Sequence, residues 1–139
     1  KYMTDMLDSY WGGMLRLGAT TIWEEFDPRK SGIEHYGMYG GKYEKSLCHA
    51  WGASPIYLLG KYALGVKPTA PGYEKYEVRP NKMAFIGDFE GKVPCPAGEI
   101  FVCVTAEGVT VKAPIDGGTL VLPSGTYTIA KDKELFARW

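Results

Sequence analysis

The sequence has no excess of either charge: 16 Lys and Arg balance 16 Asp and Glu over 139 residues. That neutrality gives no electrostatic reason to expect nucleic acid or an anionic membrane as a partner, and neither is expected. No apolar run reaches about 18 residues, so no transmembrane helix is predicted. A charged start followed by an apolar stretch, the mark of a signal peptide, is also missing, although a fragment would lack one in any case; the compartment stays open. Histidine is scarce, with two residues, and the three cysteines make an odd count. Cys48, Cys95 and Cys103 fit no zinc-ligand spacing. Cys95 and Cys103 could bridge a hairpin under oxidising conditions, but reduced thiols are the expected state.

What is present is concentrated in Gly18-Ala19-Thr20-Thr21-Ile22-Trp23-Glu24-Glu25-Phe26-Asp27, with its two Thr hydroxyls, one Trp ring and three carboxylates. Polar groups interleaved with large aromatics suit a sugar-binding cleft, because a carbohydrate offers hydroxyls at its edges and C–H surface on its faces. A buried core segment would not tolerate so many charges. The spacing of Thr21 and Glu24 leaves two readings open. Glu24 either completes a capping box at the start of a helix, or it is a carboxylate held ionised near a helix N-terminus, as a general base must be before it can take a proton from water.

Upstream, Met3, Leu7, Tyr10, Met14 and Leu17 recur at intervals of four and three, which predicts a helix over 2–17. Gly12-Gly13 in its second half costs about 1 kcal/mol per glycine relative to alanine, so close approach of a neighbouring helix or a ligand should offset it. Trp11, beside the apolar stripe, reads as core before sugar platform. Gly18 stops the helix, Thr20-Thr21 should start a short one, and Asp27-Pro28 should end it. The glycine-rich stretch 27–45 reads as a rim loop over a cleft, its tyrosines and Met38 arguing against disorder. His35 reads there as a solvated loop residue. Ser46 should cap a helix over 47–64 that Pro55 kinks or restarts. His49 would lie in its first turn, as Glu24 in its own, which hints at a shared site; the pattern alone favours a buried, satisfied histidine. Two prolines and a glycine make 67–73 a linker. Beyond it, short alternating runs at 76–79, 83–89, 99–105, 109–113, 119–122 and 126–130, separated by turn residues, predict an antiparallel β-sandwich. That part has no cluster of carboxylates, histidines or metal ligands, and its aromatics read as core.

Four ordered blocks, Tyr10-Trp11-Gly12-Gly13-Met14-Leu15, Gly18-Ala19-Thr20-Thr21-Ile22-Trp23-Glu24, Ser46-Leu47-Cys48-His49-Ala50-Trp51-Gly52, and Gly65-Val66-Lys67-Pro68 with Pro71-Gly72-Tyr73, resemble the C-terminal part of bacterial α-L-rhamnosidases. The likeness covers the first eighty or so residues well and the rest more loosely. It implies an α+β chain: 1–66 as the last helices of an (α/α)6 barrel, 67–73 as linker, and 74–139 as the terminal β-sandwich. A chain of this length is too short for a twelve-helix barrel, and its first residue is not Met, so a piece of a larger protein is expected, with the rest of the barrel as its partner. The implied substrate is a rhamnose-containing glycoside, cleaved with inversion and without cofactor or metal. Glu24 falls on the general base and His49 on a residue lining the sugar site. Trp23 and Trp51 would wall the sugar's apolar face, and Glu25, second to Glu24 as base, would rather serve as a ligand or salt-bridge residue. The general acid has no counterpart here. A carbohydrate-binding accessory module, or a different (α/α)6-barrel glycosidase, are the alternatives.

Overall fold

A computed structural model describes residues 2–82 and 87–139. The chain folds as two compact units, Lys1–Ile56 and Tyr57–Trp139. Among the described residues no helix is long and apolar enough to cross a membrane.

The first unit opens with the expected helix, in three consecutive segments: Tyr2–Met6 (α), Leu7–Gly12 (π) and Gly13–Arg16 (α). Its buried positions are Gly13 and Met14. A Cβ on Gly13 would run into the Phe26 ring, so the glycine's cost is offset by a loop aromatic lying directly on the helix backbone, where the sequence had suggested a neighbouring helix or a ligand. Met14, Trp23 and Phe26 form a small core, with Trp11, Ala19, Ile22 and Tyr36 packed on it. Trp11 is thus core, and its indole N–H donates to the Gly52 carbonyl at 2.7 Å.

The short helix expected from Thr20 does not form; residues 19–29 are irregular. Their polar groups are spent on the segment before the second helical run. The Glu24 amide donates to the Ser46 carbonyl at 2.9 Å, the His49 amide donates to the Ile22 carbonyl at 2.9 Å, and the Thr21 hydroxyl donates to the Leu47 carbonyl. The same three-residue spacing does start a helical turn ten residues on: Gly32–Tyr36 is a 3-10 helix, and the Ser31 amide donates to Glu34 Oε2 at 3.1 Å. His35 in that turn is buried and stacks on Phe26, ring centres 5.1 Å apart and planes 4° from parallel. The solvated loop histidine expected from sequence is instead the lid of a small aromatic core. A two-residue hairpin follows, with Met38 and Gly41 exchanging main-chain hydrogen bonds of 3.1 and 2.9 Å.

The second helical run begins at Ala50, not Leu47: Ala50–Ala53 (3-10), Ser54–Leu58 (α) and Leu59–Ala63 (π). Pro55 restarts it near the beginning of the α segment, where a missing amide costs least. Ser46 is no cap; its hydroxyl donates to the Cys48 carbonyl at 3.2 Å.

Among its described residues the second unit holds eight strands: β1 Val66–Pro68, β2 Tyr76–Val78, β3 Phe89–Cys95, β4 Gly98–Val104, β5 Gly108–Lys112, β6 Gly118–Leu122, β7 Gly125–Ile129 and β8 Glu134–Arg138. They form two four-stranded sheets, ordered β1-β2-β6-β7 and β3-β4-β5-β8. All pairings are antiparallel except β2 with β6, which runs parallel. Alternate residues point inward, as period two requires. Val66, Tyr76, Val78, Leu120 and Ile129 from one sheet join Ile100, Val102, Val104, Val109 and Val111 from the other in a single core. The α+β class and the sandwich therefore hold. Lys67 and Pro68, at the head of the stretch expected to be a linker, belong to β1. Of the strand predicted at 83–89, residues 83–86 lie outside the described residues, and the observed strand starts at Phe89. Cys95 pairs with Gly98 and Cys103 with Glu90 across the β3–β4 ladder, so the two thiols do not face each other, and all three cysteines are free.

Candidate functional site

The main-chain bonds that tie 22–24 to 46–49 bring Glu24, His49 and Trp51 together. Gly52 permits this approach, because a Cβ there would run into the Ile22 side chain and lie 2.8 Å from the Trp23 carbonyl oxygen. The Glu24 side chain is only 6% exposed. Its Oε1 accepts the Tyr39 hydroxyl at 2.7 Å, and its Oε2 accepts the Ser46 amide at 3.2 Å. His49 Nδ1 stands 3.8 Å from Oε2, too far for a hydrogen bond but close enough for an ion pair when the imidazole is protonated. The Tyr39 hydrogen bond, then the Ser46 amide and the charges of His49 and Lys45, hold the Glu24 carboxyl below the usual range against the opposing effect of desolvation. The carboxylate is therefore ionised by hydrogen bonding. A helix dipole plays no part, since Glu24 lies in no helix.

His49 is likewise in no first turn. It is the extended residue that precedes the 3-10 turn, with φ −129° and ψ 124°. Its ring lies 4.2 Å from that of Trp51, and the Trp51 indole donates to the Glu24 main-chain carbonyl at 2.8 Å. Trp51 is 64% exposed, so one face of a large ring stands open beside the carboxylate.

Two expected site residues sit elsewhere. Trp23 is 4% exposed and packs against Phe26 and Tyr36; it fills the core of the first unit and offers no wall to a sugar. Glu25 turns away from Glu24 into its own ion pairs, with Lys45 Nζ at 2.5 Å and Lys30 Nζ at 3.3 Å, and the Lys45 side chain is fully buried. Burial works against ionisation of Glu25, but the two lysines outweigh it and its carboxyl stays below the usual range. Of the expected pair of roles, Glu25 takes the salt bridge. Tyr39 and Lys45 were not singled out by sequence, and Ser46 only as a helix cap; Tyr39 and Ser46 act through features that spacing does not encode, the tip of a turn and a main-chain amide. Among the described residues no group of three or more His, Cys, Asp or Glu is placed to hold a metal ion.

No family model matches the chain. Over 126 residues, 86% of this chain, it is 31% identical to an α-L-rhamnosidase of Alteromonas sp. (strain LOR). The matched stretch is 13% of that protein's length, so the chain spans a small part of the relative it resembles.

Proposed function

We propose that the chain is the C-terminal part of a glycoside hydrolase that removes terminal α-L-rhamnosyl groups with inversion, and that Glu24 is its general base. The observation that carries this reading is the Glu24 carboxylate, sheltered from solvent yet held ionised by Tyr39 and Ser46, with an imidazole and an open indole face beside it. The likeness to an α-L-rhamnosidase supplies the substrate class.

In an inverting reaction a carboxylate takes a proton from water as that water attacks the anomeric carbon. A carboxylic acid on the other face protonates the departing oxygen, about 6.5–9.5 Å from the base, which leaves room for the water. Glu24 takes the first role. His49 hydrogen-bonds the sugar hydroxyls, and Trp51 stacks on the sugar's apolar face. The acid comes from an earlier part of the same polypeptide, which also supplies the remaining helices of an (α/α)6 barrel. On this reading the helical segments ahead of β1 help to close that barrel, and the sandwich from β1 onward is the terminal domain.

The test is Glu24→Gln in the full-length enzyme on an aryl α-L-rhamnoside. Turnover should fall by about 10²–10⁴-fold, the usual contribution of general-base catalysis, with folding unchanged. Near-normal turnover would remove the base assignment. The 139-residue chain assayed alone should show no turnover, for want of the acid. A second reading is favoured by the exposed rings of Tyr39 and Trp51: a sugar-binding module without catalysis, whose affinity would survive Glu24→Gln and fail on Trp51→Ala.

A further inference from the structure

Tyr39 has no structural reason to be a tyrosine. It is 76% exposed, so its ring adds nothing to a core. It occupies the first central position of the Met38–Gly41 hairpin with φ 52°, followed by Gly40 at φ 99°. Two positive φ values mark the tight turn that favours Asn-Gly, Asp-Gly or Gly-Gly, because a Cβ is disfavoured in the left-handed region. An aromatic residue at such a place bears a steric cost, and strain of this kind points toward function when a specific contact accompanies it. The contact here is the phenolic O–H on Glu24 Oε1 at 2.7 Å. The hairpin tip is thus aimed at the carboxylate.

We propose that Tyr39 is a positioning residue for Glu24: its hydroxyl fixes the plane of the carboxylate so that a lone pair left free is turned to the attacking water. A carboxylate offers about four acceptor directions. Tyr39 takes one on Oε1 and the Ser46 amide takes one on Oε2, on which His49 also bears. With both oxygens tethered, rotation about the terminal torsion is blocked and the directions left free, one on each oxygen, are set. This rests on the reading of Glu24 as general base. The groups that face the carboxylate are Tyr39, the Ser46 amide, His49 and, at longer range, Lys45. Tyr39 answers in kind: its own ionisation is pushed up by donating to Glu24.

The test combines three variants. In the 139-residue chain, the Glu24 carboxyl is followed by carbon-13 NMR and assigned by its loss in Glu24→Gln. Tyr39→Phe removes a hydrogen bond that favours the ionised form, so the carboxyl should titrate at higher pH. In the full-length enzyme the acidic limb of the kcat/KM profile should move up in step, and kcat should fall about ten-fold or more, as expected when an ionised group loses a hydrogen bond, while KM changes less than kcat. Tyr39→Asn relieves the turn while removing the same hydroxyl; it should reproduce the kinetic loss with the fold retained, which a merely structural role of the tyrosine in the turn would not do. If Tyr39→Phe leaves both the carboxyl titration and the acidic limb in place while Glu24→Gln abolishes turnover, the positioning role is overturned and the base assignment stands. If Glu24→Gln turns over normally, both fall.

Discussion

The Trp51 indole N–H donates to the main-chain carbonyl of Glu24 at 2.8 Å, so the ring that stands open beside the carboxylate also anchors the backbone that carries it. Trp51→Phe keeps an aromatic face and loses that anchor. A net hydrogen bond is worth about 1 kcal/mol, which, if the chain is part of a glycosidase as proposed, corresponds to roughly a five-fold loss in kcat/KM for the full-length protein. Trp51→Ala removes the face as well and should raise KM further. Steady-state kinetics of the two variants separate anchor from platform; equal kinetics for both would mean that the ring face binds nothing.

Gly52 and Gly12 should respond in opposite senses to the same added methyl. At Gly52 the Cβ meets the Ile22 side chain and the Trp23 carbonyl, so Gly52→Ala must push residues 22–24 away from the 3-10 turn. A loss of about 1–3 kcal/mol is expected, as for overpacking. At Gly12 the Cβ meets Asp8 Oδ1 at 2.9 Å and the Arg16 guanidinium at 3.1 Å, both ends of exposed side chains that can move aside. Gly12→Ala gains helix propensity of up to about 1 kcal/mol, so it should be neutral or stabilising. Urea unfolding of both variants checks the pair.

How far the sequence disclosed this arrangement depended on which physical signal was in play. Periodicity worked: the stripe from Met3 to Leu17 marked the first helix, and alternation marked β4 to β7 within a residue or two. Proline hid two strands. Pro68 and Pro94 read as breakers, yet β1 and β3 are sheet edges, where a missing amide breaks no ladder bond. No strand is expected beyond residue 130, because the charged run Lys131-Asp132-Lys133-Glu134 masks the alternation of β8, in which Leu135 and Ala137 pack toward the core. Glu24, His49 and Trp51, singled out from the sequence, do lie together, but Glu24 and His49 are not on the facing helix starts that their spacing suggests. Capping-box spacing is satisfied at Thr21–Glu24 and at Ser31–Glu34 alike, and only the second forms, because the first has the segment 46–49 to bond with. Such competition between local and distant partners leaves no trace in spacing. Tyr39 is the clearest omission, since nothing in a Tyr-Gly-Gly turn says where the ring will reach.

Two titrations should appear in the pH dependence of stability, at opposite ends. Glu24 has a lowered folded-state pKa, so its contribution is present above the unfolded value, about 4.3, and is lost as pH falls through the folded one. Glu24→Gln should flatten that acid-side loss. Tyr76, buried in the sandwich with its hydroxyl donating to the Ile115 carbonyl at 3.0 Å, is pushed up to about 12 by burial. Its contribution is present below the unfolded value of about 10 and is lost as pH rises toward 12, because ionisation favours the unfolded chain. Thermal unfolding as a function of pH should therefore weaken across that alkaline window, and Tyr76→Phe should remove this part of the slope at the cost of one hydrogen bond. A slope unchanged in Tyr76→Phe would assign it to another group.

The pair of Lys45 and Glu25 should be asymmetric under mutation. Lys45 Nζ is fully buried with the Glu25 carboxylate at 2.5 Å, while Glu25 is about one-third exposed and also holds Lys30. Glu25→Gln strips the buried ammonium of its counter-charge. Breaking a fully buried pair costs about 3–5 kcal/mol, and the exposure of Glu25 lowers that to about 1–3 kcal/mol by solvent screening. Lys45→Met removes the buried charge itself and fills much the same volume, leaving Glu25 with Lys30 and water. That change should cost less than Glu25→Gln, and replacement of both residues should restore most of the loss, since what is expensive is a charge without its partner in a dry place. Chemical denaturation of the two single variants and the double variant closes the cycle; a larger loss for Lys45→Met than for Glu25→Gln would mean that the lysine's stem packing outweighs its charge.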